Sequence, residues 1–324
     1  MKKNNFKNIG KEVINLEIQA LKKLKNSLNN SFDQAVKLIS SCQQKIILCG
    51  VGKSFIIGSK ISSTLSSVGC ASFALSASEC SHGDLGSISK KDLLILLSNS
   101  GETQELKPVI QYAKRNKITL IGIVSKKNSI LYRASDVKIY IPEVKESGHG
   151  IVPTSSTASQ LAIGDALAIA SMNSKNFGKL DFKKFHPAGT LGTKLKTVED
   201  LMFKGKQVPY INEKSNMKNA LQILSKKNLG VLVVRNKYKK TVGIITDGDV
   251  KRVLQKNKDF QNLSLSKIMS KNPISIEQNE LAAKALSIMT SKKKITCLCV
   301  HKNKNINFTV GIIHIHNILN ANIS

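Results

Sequence analysis

Two segments of this 324-residue chain combine glycine with hydroxyl side chains, one of them with a lysine, at spacings suited to holding a phosphate. The first is Gly50-Val51-Gly52-Lys53-Ser54, placed directly after an apolar run. Such a turn brings backbone N–H groups and the Lys53 ammonium to the start of a helix, where anions bind. Two commoner phosphate motifs do not fit. A P-loop needs glycine five positions before Gly52, where Ile47 stands, and a dinucleotide fingerprint opening at Gly50 needs glycine where Phe55 stands. ATP hydrolysis and NAD chemistry thereby lose their main supports, and an ordinary strand–helix turn is the alternative. The second segment is Ser98-Asn99-Ser100-Gly101-Glu102-Thr103. Its three hydroxyls and the open N–H groups of a helix start make a cradle that needs no metal. The same residues also read as a capping box built from Ser100, Glu102 and Thr103. A third hydroxyl run, Pro153-Thr154-Ser155-Ser156-Thr157, opens a helix at Ser156 in the same manner. Two such starts in one sheet favour phosphate binding over capping alone.

These loops must be carried by a parallel sheet. Short apolar strands are expected at Lys45–Cys49, Ser72–Leu75, Leu93–Leu97, Ile118–Val124 and Val137–Ile141. Helical stretches at Ser54–Ser67, Thr103–Asn116 and Ser156–Ala170 separate or follow them. Continuous apolar strands alternating with helices indicate a sheet covered on both faces. Two helices precede it. The first runs over about residues 9–30, with Ile9, Val13, Leu16, Ile18, Leu21, Leu24 and Leu28 at helical spacing, and the second over about 32–41. Ligands of such folds bind at the carboxyl ends of the strands, where all three hydroxyl-rich loops fall.

The remainder of the chain repeats itself. Val242–Val250 (VGIITDGDV) aligns with Val310–Ile318 (VGIIHIHNI) at an offset of 68, and Val198–Met202 aligns with Leu265–Met269 at 67. Ala220–Leu224 aligns with Ala285–Met289 at 65. Three blocks in one order give two copies of a loop–helix–strand–strand–helix unit, forming a pseudo-dimer. The period is too long for a solenoid.

Composition restricts the partners. The formal net charge is +29, from 50 Lys+Arg against 21 Asp+Glu, but only four of the basic residues are Arg. The excess is also even, with 27 basic and 13 acidic residues in 1–195 and 23 and 8 in 196–324. Nucleic-acid binders concentrate charge on one face and favour Arg for bidentate contacts, so no nucleic-acid partner is expected. Apolar runs such as Leu229–Val234 fall far short of the roughly 18 residues a membrane span needs, so no membrane partner is expected either. Six cysteines without a Cys-x-x-Cys pair, and a polar N-terminus without a signal-peptide core, indicate a reduced, cytoplasmic protein.

Taken in order, Gly50–Ser54, Ser81-His82-Gly83-Asp84-Leu85-Gly86, Ser98–Glu102, Pro153–Thr157 and His186-Pro187-Ala188-Gly189-Thr190-Leu191-Gly192 resemble a sugar isomerase (SIS) domain. The repeat, best matched at Thr246-Asp247-Gly248-Asp249, resembles a tandem cystathionine-beta-synthase (CBS) pair; its second copy has His314 and His316 where the first has Thr246 and Gly248. In this order, over about residues 10–322, the chain resembles the bacterial D-arabinose 5-phosphate isomerases. The resemblance implies an α/β fold: an SIS-type parallel sheet sandwiched by helices (1–195), followed by a tandem CBS (α/β) regulatory module (196–261 and 262–324). It implies interconversion of D-ribulose 5-phosphate and D-arabinose 5-phosphate through an enediol, feeding 3-deoxy-D-manno-octulosonate (Kdo) and lipopolysaccharide or capsule synthesis. The alternatives are a non-catalytic sugar-phosphate sensor and an SIS isomerase of another sugar phosphate.

The resemblance places catalytic positions on Lys53, His82, Glu105, Glu146 and His186. It places substrate contacts on Gly52, Ser54, Gly69, Cys70, His82, Ser98, Ser100, Thr103, Ser155, Ser156 and Thr157. The reaction needs a base for a carbon-bound proton, a shuttle for a hydroxyl proton and charge stabilisation for the enediolate. Glu146 and Glu105 are the candidate base and shuttle, in an order the sequence leaves open. Lys53 can neutralise anionic charge. His82 and His186 sit in glycine-rich loops, and His186 is expected to reach a neighbouring subunit's site, as in the family. No cofactor is required, and a regulatory nucleotide or CMP-sugar is implied at the CBS pair. Some relatives carry a zinc-associated His at the position of Ser76; with Ser there and no metal-spaced His/Cys cluster, no metal is expected. The segment Gly148-His149-Gly150-Ile151-Val152 diverges from the family and leaves His149 without a role. A homo-oligomer, a tetramer by analogy, is expected, with the first helix as a candidate interface.

Overall fold

The computed structural model describes residues 5–186, 189–256, 263–291, 295–303 and 305–323, with the side chains of 189–191 and 256 left aside. Contacts divide the chain into two compact units, Met1–Phe185 and His186–Ser324. Residues 186–195, grouped with the first domain on sequence grounds, cluster with the second unit. The expected division at 261/262 between the repeats lies outside the described residues.

The first unit opens with helices α1 (Phe6–Ser27) and α2 (Asn30–Ser41). It continues as β1 (Ile46–Gly50), α3 (Lys53–Ser67), β2 (Ser72–Ser76), α4 (Ala77–Cys80), β3 (Leu93–Ser98) and α5 (Leu106–Asn116). Then follow β4 (Thr119–Val124), α6 (Ile130–Ala134), β5 (Val137–Tyr140), α7 (Ser155–Ser174) and α8 (Lys179–Phe185). The five strands form one parallel sheet in the order β2-β1-β3-β4-β5. Every residue of β1 and β3 is buried because both faces are covered. Strand alternation sorts the side chains. Ile46, Leu48, Ile95, Leu97 and Ile121 pack with Ile39 of α2, Ile61 and Leu65 of α3, and Ile163 and Leu167 of α7. Ile47, Cys49, Leu94, Leu96 and Leu120 pack on the other face, with Leu106, Val109 and Ala113 of α5 and Leu131 of α6. The strands fall within a residue of the expected ones. The helix expected from Thr103 instead begins at Leu106. The residues before it are held in a turn, with Leu106 N–H donating to Thr103 O and Lys107 N–H to Gln104 O.

The second unit contains α9 (Gly189–Lys194), α10 (Val198–Leu201), β6 (Phe203–Lys204), β7 (Tyr210–Asn212), α11 (Met217–Lys227), β8 (Val231–Arg235), β9 (Thr241–Thr246) and α12 (Asp247–Lys256). Its second half has β10 (Ser270–Lys271), β11 (Ser275–Glu277), α13 (Ala282–Thr290), β12 (Cys297–His301), β13 (Thr309–His314) and α14 (Ile315–Asn320). Two four-stranded sheets result, β10-β9-β8-β7 and β11-β12-β13-β6, each taking its last antiparallel strand from the other copy. The repeat seen in sequence is thus a quasi-two-fold in space. Thr241 and its copy Thr309 hydrogen-bond to each other through their hydroxyls at 2.9 Å. The bridges Thr197–Leu281 and Asn216–Ser264 are related in the same way. Val231, Val233, Cys297, Cys299 and Ile312 form the core shared between the copies. All six cysteines are free. Among the described residues no helix is long and apolar enough to cross a membrane.

Candidate active site

Parallel strand order brings the loops after β1, β2, β3 and β5 to one edge of the sheet. The loop after β3 is tied down from two sides. Ser98 Oγ, in a buried residue, accepts from Gly101 N–H (3.0 Å) and hydrogen-bonds to Thr103 Oγ1 (2.8 Å). Asn99 Oδ1 accepts from Ser125 Oγ at 2.7 Å, and Glu102 Oε1 accepts from Ile130 N–H at 2.8 Å. The capping-box alternative is therefore not what forms. Ser100 Oγ accepts from Glu102 N–H (3.2 Å) in a local turn, and Glu102 caps α6 instead of α5. Gly101 makes this turn with φ +68°, a conformation L side chains rarely adopt. Among the described residues, no protein acceptor meets the N–H groups of Ser100, Thr103, Gln104 and Glu105. Four open donors ahead of a helix start are the groups an anion could accept from.

Beside it, β1 lies next to β3 and ends in the Gly52–Lys53 turn, with Lys53 exposed at the first position of α3. Ser54 Oγ donates to the buried Gln160 Oε1 at 3.4 Å, linking the start of α3 to α7. His82 stands exposed in the loop after α4, on the other side of β1. Glu105 immediately precedes α5, exposed and without a side-chain cap bond.

Glu146 is placed by α7. Its Oε2 accepts from Thr154 N–H (2.8 Å), Thr154 Oγ1 (3.2 Å) and Ser156 N–H (3.4 Å). Burial pushes the carboxyl up. The Ser156 hydroxyl, the N–H groups of Thr154 and Ser156 and the Thr154 hydroxyl outweigh it, holding Glu146 below its ordinary value of 4.5. The third hydroxyl run thus spends two of its N–H donors on Glu146. Ser155 and Ser156 are buried, the Ser155 hydroxyl has no partner, and Thr157 Oγ1 donates to Thr154 O (2.8 Å).

One chain thereby gathers Gly52, Lys53, Ser54, His82, Ser98, Ser100, Thr103, Glu105, Glu146, Ser155, Ser156 and Thr157 along the carboxyl edge. Gly69 and Cys70 are not among them. They precede β2 at the amino edge, where Gly69 O accepts from Lys175 Nζ (2.5 Å) and burial pushes the Cys70 thiol up. His186 is the first residue of the second unit, and Pro187 and Ala188 lie outside the described residues. Thr154, which makes the shortest contact to Glu146, was not singled out in the sequence. Its signal lies in the hydroxyl run, which the sequence offers for phosphate binding or helix capping and not for holding a carboxylate. Among the described residues, no group of three or more His, Cys, Asp or Glu could hold an ion.

Among the described residues of the second unit, two clefts adjoin each other. One, of about 800 Å³, is lined by Lys196, Asp200, Asn228, Asp247, His314 and His316. The other, of about 630 Å³, includes Thr246, Asp249, Arg252, Lys271 and Asn272 and shares Asp247 and both histidines. Asp249 accepts from Thr246 N–H (2.8 Å) and Thr246 Oγ1 (2.7 Å) and is paired with Arg252. His314 and His316 stack with centroids 5.0 Å apart. Burial, then His316, holds His314 below its ordinary value.

Residues 39–170 match the SIS domain family, and residues 198–256 and 265–324 match the CBS domain family. The chain is 36% identical to arabinose 5-phosphate isomerase KdsD of Salmonella typhimurium, over 98% of this chain and 96% of that one. The chain belongs to the arabinose 5-phosphate isomerase family. The same family protein of Escherichia coli K12 is 36% identical over equal coverage, and an uncharacterised protein of Rickettsia prowazekii is 37% identical over 99% of both chains. Among solved structures, E. coli CFT073 c3406 in complex with arabinose 5-phosphate superposes with a TM-score of 0.55 at 34% identity, covering 58% of this chain and all of that one. The family's SIS-plus-CBS architecture and its α/β fold are those expected from the loops and the repeat.

Proposed function

We propose that the protein is an aldose–ketose isomerase interconverting D-ribulose 5-phosphate and D-arabinose 5-phosphate through an enediol. The observation that carries this reading is the meeting, at one sheet edge, of an open N–H cradle (Ser100, Thr103, Gln104, Glu105) with Lys53, His82 and two carboxylates. Family membership over nearly the full length supports it.

The phosphate occupies the cradle, with Lys53 adding the positive charge. A carboxylate takes a proton from C1 of the ketose, and the enediol accepts it back at C2. The hydroxyl proton moves from O1 to O2, so no electrons leave the sugar and no redox cofactor enters. Lys53 and His82 stabilise the enediolate; His186 is assigned on the family resemblance. Catalysis is assigned to residues 1–195 and regulation to the repeats 196–261 and 262–324. The clefts of the second unit are assigned to a nucleotide or CMP-sugar effector. The product feeds Kdo synthesis in the cytoplasm. A homotetramer is assigned with α1 at an interface, since Phe6, Ile9, Ile14, Ile18 and Leu21 are exposed on it.

The test is direct. Purified protein in EDTA-treated buffer is given ribulose 5-phosphate, and arabinose 5-phosphate is followed by carbon NMR. Formation of the aldose is expected. Binding without turnover would replace the enzyme with a sugar-phosphate sensor.

A further inference from the structure

Glu146 and Glu105 are equivalent on paper as proton-transfer groups, but their surroundings differ. Thr154 N–H, Thr154 Oγ1 and Ser156 N–H all reach one oxygen of Glu146, Oε2, and the Ser156 hydroxyl also bonds to the carboxylate. A carboxylate anchored in this way is held in one orientation for proton transfer. Glu105 has no such anchor.

The anchor is made by a short loop. Gly148, His149 and Gly150 have φ of +58°, +62° and +80°, and Ser147 pairs with Val152 in an antiparallel bridge. A Cβ on Gly148 would lie 2.5 Å from Val152 Cγ2, and its φ of +58° also favours glycine there. Closure folds Glu146 back over the start of α7. Thr154 sits at the junction. Its hydroxyl oxygen accepts from Ser147 N–H (3.1 Å) and faces Glu146 Oε2, while its own N–H makes the shortest bond to that carboxylate. The segment that diverges from the family thus has a structural task.

We propose that Thr154 is a positioning residue that fastens Glu146 Oε2 to the first turn of α7, so that this held carboxylate accepts the substrate's carbon-bound proton and the unanchored Glu105 serves as the hydroxyl-proton shuttle. This assignment rests on the isomerase reading above. The titratable groups on the loop are Glu143, Lys145 and His149, with Lys53 at the start of α3; the first turns of α7 carry only uncharged donors. Burial and the donors of Thr154 and Ser156 are what shift Glu146.

Full-length Thr154→Val and Thr154→Ser are compared with the parent protein by the pH dependence of kcat and KM for ribulose 5-phosphate. With the valine variant, the acid limb of kcat is expected to move up by roughly 0.5–1 pH unit, with KM within about 2-fold, because one of several donors to the carboxylate is lost. The serine variant is expected to restore the limb. An unmoved limb, or a KM raised more than about 10-fold at unchanged kcat, overturns the proposal and makes Thr154 a substrate contact. Should the valine variant not fold, solvent deuterium wash-in decides. Glu146→Gln is expected to abolish exchange at the substrate carbon, while Glu105→Gln retains it. The reverse pattern overturns the assignment. Failure of the parent protein to isomerise would instead overturn the isomerase reading.

Discussion

At the scale of single residues, the site separates a fixed carboxylate from an open one. Glu146→Gln keeps hydrogen-bonding capacity but removes the proposed base, so kcat is expected to fall by about 10²–10⁴-fold with a much smaller change in KM, measured by initial rates at pH 7.5. The same residue couples to stability. Its folded value lies below the ordinary 4.5, so the unfolded chain binds the proton more tightly. The stabilisation is present above pH 4.5 and is lost as pH falls through the lower folded value. Thermal unfolding between pH 6 and 3 is expected to show a steeper acid-side loss for the parent than for Glu146→Gln. Equal slopes would mean the carboxylate gains nothing from α7. The carboxylate's partial exposure keeps the effect modest.

At the scale of elements, the cradle depends on the turn between β3 and α5 holding its shape without substrate. Gly101 is the sensitive point. Its φ of +68° disfavours an L side chain, and a Cβ there would lie 2.6 Å from Val124 Cγ2 and against Ser129. Left-handed backbone and overpacking together cost about 2–4 kcal/mol. Gly101→Ala is accordingly expected to lower the unfolding midpoint by several degrees and to raise KM more than it lowers kcat. A variant with unchanged midpoint and KM would show that the turn is not pinned. In the second unit, Asp249 caps its own turn through Thr246. Asp249→Ala is expected to cost about 1–2 kcal/mol, read by urea unfolding, while the isomerisation rate stays within about 2-fold in the absence of effector.

At the scale of the whole molecule, charge and apolar surface make different predictions. The even Lys excess produces a diffuse positive field, which speeds encounter with an anionic sugar phosphate and is screened by salt. Raising ionic strength from 20 to 500 mM is expected to lower kcat/KM several-fold while leaving kcat unchanged. A flat response would confine the useful charge to Lys53. Ile14, Ile18 and Leu21 are exposed at helical spacing on α1, and a contiguous apolar stripe of this kind marks an association surface. On the proposed homotetramer, Ile18→Glu is expected to lower the mass seen in light scattering; an unchanged mass would remove α1 from the proposed interface.

Local chemistry determined much of this protein in advance. Continuous apolar runs dictated a parallel sheet, because only a strand covered on both faces needs no polar side. Loop composition marked the carboxyl edge, and the offsets of the repeat announced a quasi-two-fold. Those signals are local or periodic, so one chain suffices to read them. Tertiary structure decided what distance along the chain hides. It tied Glu146 to Thr154 and Ser156, gave Glu102 to α6 instead of α5, and set Gly69 and Cys70 at the opposite edge from the cradle. A hydroxyl run reads alike whether its N–H groups meet a phosphate or a carboxylate. Only the fold, by bringing residue 146 back over the start of α7, chooses which acceptor arrives.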